Sequence, residues 1–135
     1  MLIVLDTNVL VSGLLNPFGP PGRILDLMVA GLVRLAYDGR ILAEYREAAS
    51  RPRFRLGPDL VGPMLDYVVR NGEMVSAPPL MVEAPHPSDL AFAEVAVASA
   101  ARGLVTGNLA HFLFLADPPV LNPADCLLLW ERENR

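Results

Sequence analysis

Met1-Leu-Ile-Val-Leu-Asp-Thr-Asn-Val-Leu-Val-Ser12 opens the chain, and the reading of this stretch decides the fold. Leu2 to Leu5 is a short unbroken apolar run with β-branched residues at its centre. It reads as a strand buried on both faces. A carboxylate, Asp6, follows directly. In an open parallel α/β sheet the ligand crevice lies beyond the carboxyl ends of the strands, so Asp6 would stand at that crevice. The competing reading is a helix N-cap, because Asp, Thr and Asn all start helices well. The rest of the chain separates the two.

Strand and helix patterns alternate along the remaining sequence. Thr7 to Leu15 reads as a short helix, and Asn16-Pro-Phe-Gly-Pro-Pro-Gly22 as a loop. Arg23 to Ala30 is a helix with Pro20 or Pro21 near its start. Val33 to Tyr37 is a strand, and Asp38 caps a helix from Gly39 to about Ser50 that Arg51-Pro52 ends. Gly57 to Asn71 carries apolar residues at 60, 61, 64, 65, 68 and 69, the spacing of one helical face. Glu73 to Val75 is a short strand. Ser88 or Asp89 opens a helix to about Ala101 that is apolar nearly all round and hence deeply packed. Gly103 to Thr106 is a strand, Leu109 to Leu115 a helical turn plus loop, Val120-Leu121 a strand, and Pro123 to Glu133 the last helix. This order predicts an α/β fold: a three-layer α/β/α sandwich around a parallel sheet of four to five strands.

Composition narrows the class. The 135 residues are enough for one domain with a real core, so residues 1–135 are read as a single domain. Hydrophobic residues make up 53% and charged residues 19%, which excludes a disordered chain. No apolar run has the length of a membrane span, and the N-terminal run stops at Asp6, unlike a signal peptide. One cysteine, Cys126, excludes an internal disulfide and a zinc cluster and reads as a small core residue. A cytoplasmic location is the expectation. The net charge of −4 argues against a general nucleic-acid coat protein. It is compatible with a nuclease whose carboxylates hold a cation, since the bound metal reverses the local sign. There is no Lys and no Gln, so every basic side chain is Arg or His, and prolines number 13. That composition fits a thermophile or a GC-rich genome.

Acidic and amide side chains recur at the boundaries that share one sheet edge. Asp6 ends the first strand. Asp89 lies in the first turn of the apolar helix, and Asn108 follows Thr106 at the end of a strand. Glu44 sits six residues past Asp38, and its side chain points back toward the helix start. Glu94 is an unusual charge on an apolar helix; it supports the site or pairs with an arginine such as Arg102. Oxygen donors without His or Cys suit Mg²⁺ or Mn²⁺. Each residue also has a plainer role: Asp89 on the helix dipole, Glu44 on a solvated face, Asn108 in a turn. Their coincidence at one edge favours a metal-dependent hydrolysis of phosphodiesters, with Asp6 as a bridging ligand rather than a helix cap.

The same segments carry a resemblance. Leu5-Asp-Thr-Asn-Val-Leu-Val-Ser12, Ile41-Leu-Ala-Glu-Tyr-Arg46 with Arg51-Pro-Arg-Phe54, Pro87-Ser-Asp-Leu-Ala-Phe-Ala-Glu94 and Leu104-Val-Thr-Gly-Asn-Leu-Ala-His-Phe112 resemble the successive motifs of PIN-domain nucleases, and Asn122-Pro-Ala-Asp125 resembles the start of their last helix. The resemblance implies a Mg²⁺- or Mn²⁺-dependent endoribonuclease, similar to the VapC-like toxins of toxin–antitoxin modules. It implies an RNA substrate, a cognate antitoxin and a homodimer or higher oligomer. It carries over Asp6, Glu44 and Asp89 as the acidic core and Asn108 as the fourth position. The chain departs from the family pattern there, because Asn108 carries no charge and His111 stands where many relatives have Asp; one ion is expected rather than two.

Further positions have two readings each. Asn8, Ser12 and Thr106 orient Asp6 and its water, or cap local structure. Arg51, Arg53 and Arg55 form the one dense basic run, which binds phosphates with Phe54 stacking a base, or is an exposed loop at the opposite sheet edge. His111 contacts RNA or donates a proton, or is structural; His86 lies exposed between prolines, and Trp130 reads as core or interface. A catalytically silent PIN-like module is the alternative function. A phosphoacceptor receiver would need a lysine, and a haloacid-type phosphatase a second Asp where Asn8 stands.

Overall fold

The structure, a computed structural model, describes residues 1–135. Five strands form one parallel sheet: β1 (Leu2–Leu5), β2 (Arg34–Tyr37), β3 (Glu73–Met74), β4 (Gly103–Val105) and β5 (Val120–Leu121). Their spatial order is β3-β2-β1-β4-β5, so the chain builds outward from β1 on one side and then returns to build on the other. Ile3 pairs with Leu35 on one flank and with Gly103 on the other. The opening strand is therefore the centre of the sheet, and Val4 and Leu5 are fully buried. The reversal of strand order beside β1 is the switch point where open α/β sheets hold their ligands.

Six helices cover the sheet: α1 (Thr7–Leu15), α2 (Pro20–Val29), α3 (Gly39–Ala49), α4 (Pro58–Asn71), α5 (Leu90–Ala98) and α6 (Pro123–Glu133). The predicted α/β architecture is present, with boundaries moved by local chemistry. α2 starts at Pro20 rather than Arg23, because prolines fit the first helical turn, where the missing N–H has no partner to lose. Gly22 lets that turn sit on the preceding loop: a Cβ there would meet the Pro17 backbone at 2.4 Å. α5 ends at Ala98, and Ala100 adopts a left-handed conformation (φ 51°) that turns the chain into β4. Asp89 precedes α5 in a 3₁₀ turn, Pro87–Asp89.

α5 is buried along Ala91–Ala96, as its all-round apolar sequence predicts. Phe92 packs near Tyr45 of α3 with ring centroids 6.4 Å apart. In α4 the apolar stripe is only half covered. Val61, Leu65 and Val68 are buried, whereas Leu60 and Val69 are 42% and 44% exposed. No helix is long and apolar enough to cross a membrane.

Cys126 lies in α6, 2% exposed, and burial pushes its thiol up to about 11. The nucleophile is the thiolate, so the folded protein should resist Ellman's reagent at pH 8 while the urea-unfolded chain reacts fully. Stoichiometric reaction of the native protein would contradict this placement.

Candidate functional site

Asp6, Glu44 and Asp89 converge beyond the carboxyl end of β1. Asp6 is placed by the sheet: its N–H donates to the Val105 carbonyl of β4 at 2.8 Å. Its side chain is held from two sides. Thr106 Oγ1 donates to Oδ2 at 2.7 Å, and the Thr7 N–H donates to Oδ1 at 2.8 Å. Asp6 also occupies the N-cap position of α1, which corrects the expectation that the two roles exclude each other. Its carboxylate takes the amide of the first helical residue, Thr7, not those of the second or third residue as in a typical cap, and Oδ2 is left to Thr106.

Glu44 reaches the same place from α3. Its Oε2 accepts from Thr7 Oγ1 at 2.8 Å, so one residue, Thr7, touches both acids. Its neighbour Tyr45 is fully buried and donates its hydroxyl to the Leu5 carbonyl, next to Asp6. That bond ties α3 to the end of β1 and sets the distance between Glu44 and Asp6. The sequence alone did not single out Tyr45; its position directly after Glu44 was the available signal.

Asp89 is 8% exposed, and its Oδ2 has no hydrogen-bond donor. His111 Nδ1 approaches that oxygen to 3.2 Å without hydrogen-bond geometry. Asn108 Nδ2 meets the other ring nitrogen, Nε2, at 2.7 Å. The His86 ring stacks on His111 with centroids 4.0 Å apart, a contact that the placement of His86 between prolines gave no hint of. Asn108 thus supports His111 and keeps its Oδ1 free of protein partners, while its N–H donates to Thr106 Oγ1 at 3.0 Å.

Electrostatics make the cluster a strained one. Burial pushes the Asp6 carboxyl above the usual carboxylate range, and the charges of Asp89 and Glu44 push it the same way against the Thr106 and Thr7 hydrogen bonds. Burial also raises Asp89, with His111 and His86 opposing. Acids that repel one another, with Asp89 Oδ2 met only by the His111 ring at 3.2 Å, fit a hard divalent cation. Asp6 and Asp89 would hold it, with Glu44 beside them. The set is open: no three His, Cys, Asp or Glu side chains are gathered as a ready-made metal cage. A depression of about 250 Å³, lined by Arg40, Glu44, Pro87, Ser88 and Ala91, opens beside Glu44.

The supporting residues divide. Thr106 is fully buried and acts on Asp6 directly. Asn8 does not touch Asp6; its Oδ1 accepts from the Gly107 N–H at 3.2 Å and pins the loop that carries Asn108. Ser12 is exposed on α1 and makes no side-chain hydrogen bond to the cluster. Glu94 pairs with Arg40 (Nη1–Oε1 2.7 Å), not with Arg102, which instead pairs with Glu133. The second Glu94 oxygen accepts from the Leu80 N–H at 2.9 Å, so this buried acid ties α3 and the proline-rich loop to α5. Arg51 donates to Glu47 through Nε and Nη2, at 3.1 and 2.8 Å, and with Arg53 and Arg55 lies in the α3–α4 connection, away from the acids.

A raised carboxyl has a defined stability signature. Between the usual 3.8 and its raised folded value, Asp6 is protonated in the fold and ionised in the unfolded chain. Stability of the cation-free protein therefore falls as pH rises through that window and stays reduced above it. Asp6→Asn should raise the thermal midpoint at pH 7 and flatten that pH dependence. Mn²⁺ at 100 times its Kd should add about 2.7 kcal/mol to the wild type and far less to the variant. A variant that melts below the wild type and gains as much from Mn²⁺ would contradict this reading.

The chain resembles known proteins in sequence and in fold. A model of the PIN domain family matches residues 2–110. The fold is similar to a solved structure of VapBC2 from Rickettsia felis bound to a DNA fragment from their promoter, with a TM-score of 0.58 and 21% identity over 90% of this chain and 98% of that one. No curated protein sequence matches. The chain belongs to the PIN domain family.

Proposed function

We propose that this protein is a divalent-cation-dependent endoribonuclease and the toxin of a toxin–antitoxin pair. The observation that carries the reading is the convergence of Asp6, Glu44 and Asp89 at the switch point of the sheet, with Asp89 Oδ2 met only by the His111 ring at 3.2 Å. A bound Mg²⁺ or Mn²⁺ would neutralise phosphodiester charge and acidify a water. Asp6 and Asp89 would hold it, Asp6 oriented by Thr106. Glu44, with Oε2 fixed by Thr7, has Oε1 free to take the proton of the attacking water. Arg40, clamped by Asp38 at 2.8 Å and Glu94 at 2.7 Å, lines the depression beside Glu44, with its charge already met by both carboxylates. His111, held between Asp89 and Asn108, would contact the RNA or donate a proton. Asn108 adds an oxygen donor without charge, which favours one ion over two.

Family membership supports nuclease chemistry. The similar solved structure is a toxin–antitoxin complex by its name, which supports an antitoxin as partner here; a homodimer and a cytoplasmic location belong to the same reading. The uncharged Asn108 and the open acid set favour the second reading, a silent PIN-like binding module.

The two separate in one assay. The wild type should cleave single-stranded RNA only with Mn²⁺ or Mg²⁺. Asp6→Asn and Glu44→Gln should each lose more than roughly 100-fold, since even outer partners of metal ligands are worth about 10–100-fold. Cleavage undiminished in Asp6→Asn would sink the assignment, and no cleavage by the wild type would leave the silent module.

A further inference from the structure

A cleft of about 500 Å³ lies between the end of α3 and the start of α4, apart from the acids. Arg46, Arg51 and Arg55 line it, with Asp66 as its one acid. Residues 46–55 hold four arginines against one glutamate, Glu47, in a chain of net charge −4. Arg46, Arg53 and Arg55 have no carboxylate within 4.0 Å, as is also true of Arg70, Arg132 and Arg135, but only the first three stand together in one short segment; Arg23, Arg34, Arg40, Arg51 and Arg102 are all paired. Arg53 lies over the half-buried Phe54 ring, 4.8 Å from its centroid. Arg55 is in the left-handed region (φ 53°, ψ 33°), a conformation that costs a side-chain-bearing residue energy. Two residues later the same connection uses Gly57 at φ 75°, so glycine serves where conformation alone matters. Arg46 and Arg55 line the cleft without a carboxylate partner, and Arg53 with Phe54 stands beside it in the same α3–α4 connection.

We propose that this cleft is a subsite for single-stranded RNA that grips backbone phosphates outside the scissile linkage. Arg46 and Arg55 face phosphate oxygens, and the Arg53–Phe54 pair offers a flat face for a base. The assignment rests on the ribonuclease reading for its substrate. The helix that carries Glu44 ends here: Ala49, a lining residue, is five residues on, about 8 Å along the axis. Arg46 is on the face of α3 turned away from Glu44, so the strand passes over the helix end rather than along its side. The Arg53–Phe54 pair favours a nucleic acid over an acidic polypeptide, which offers no base.

The test is fluorescence anisotropy with a labelled 12-nucleotide single-stranded RNA, in EDTA so that no cleavage occurs, across a salt series. The variant Arg46→Ala/Arg53→Ala/Arg55→Ala should bind at least about tenfold more weakly, and its log K against log salt slope should fall by about 2. Arg55→Gly alone should weaken binding with no loss of thermal midpoint, and Arg70→Ala/Arg132→Ala should change neither quantity. Unchanged affinity and slope in the triple variant overturn the proposal, as does an absence of wild-type RNA binding. Competition by polyglutamate stronger than by unlabelled RNA also overturns it and marks an acidic-peptide site. Mn²⁺-dependent cleavage by the triple variant with unchanged KM sinks the cleft and spares the nuclease reading. RNA binding that depends on the arginines without any wild-type cleavage does the reverse.

Discussion

The hydrogen bond from Thr106 Oγ1 to Asp6 Oδ2 is the constraint on which the site depends. It joins the first residues beyond two adjacent parallel strands, so it exists only because β4 returns beside β1 in a register that pairs Leu5 with Val105. It is a charge-assisted bond to a buried carboxylate, the stronger class of hydrogen bond. The same hydroxyl accepts from the Asn108 N–H, which fixes the loop that carries Asn108 and His111. One fully buried threonine thereby positions both the central acid and the segment facing it.

This arrangement works against stability. Three carboxylates brought together at a partly dry edge repel, and burial raises both Asp6 and Asp89. The offset comes from the scaffold beneath: a central strand with no exposed side chain at Val4 and Leu5, α5 packed nearly all round, and Tyr45 reaching from α3 to the Leu5 carbonyl. Local conflict held by global packing is the pattern of a functional site. Positive charge is divided in the same spirit. Arg40 is locked to Asp38 and Glu94 near the acids, while Arg46, Arg53 and Arg55 are left without partners at the other end of α3.

Much of this was readable from periodicity and punctuation. The apolar run Leu2–Leu5 predicted a doubly buried strand, and the apolar helix after Asp89 predicted deep packing. The meeting of Asp6, Glu44 and Asp89 followed from the rule that strand ends and helix starts share an edge. What the sequence did not reveal were pairings across long separations. Glu94 takes Arg40, 54 residues away, and the more obvious Arg102 goes to Glu133, because partner choice depends on which helix faces pack together. Stacking of His86 on His111 needs the proline-rich loop to fold back, which no local rule foretells. Periodicity also overstated the buried face of α4, where Leu60 and Val69 stay exposed while Val61, Leu65 and Val68 are buried.

The central claim is that these carboxylates share one cation. Anomalous diffraction from crystals soaked in Mn²⁺ tests it most directly. The account predicts a single strong peak in contact with Asp6 and Asp89 and within reach of Glu44. A peak elsewhere on the surface, or none at millimolar Mn²⁺, would contradict it.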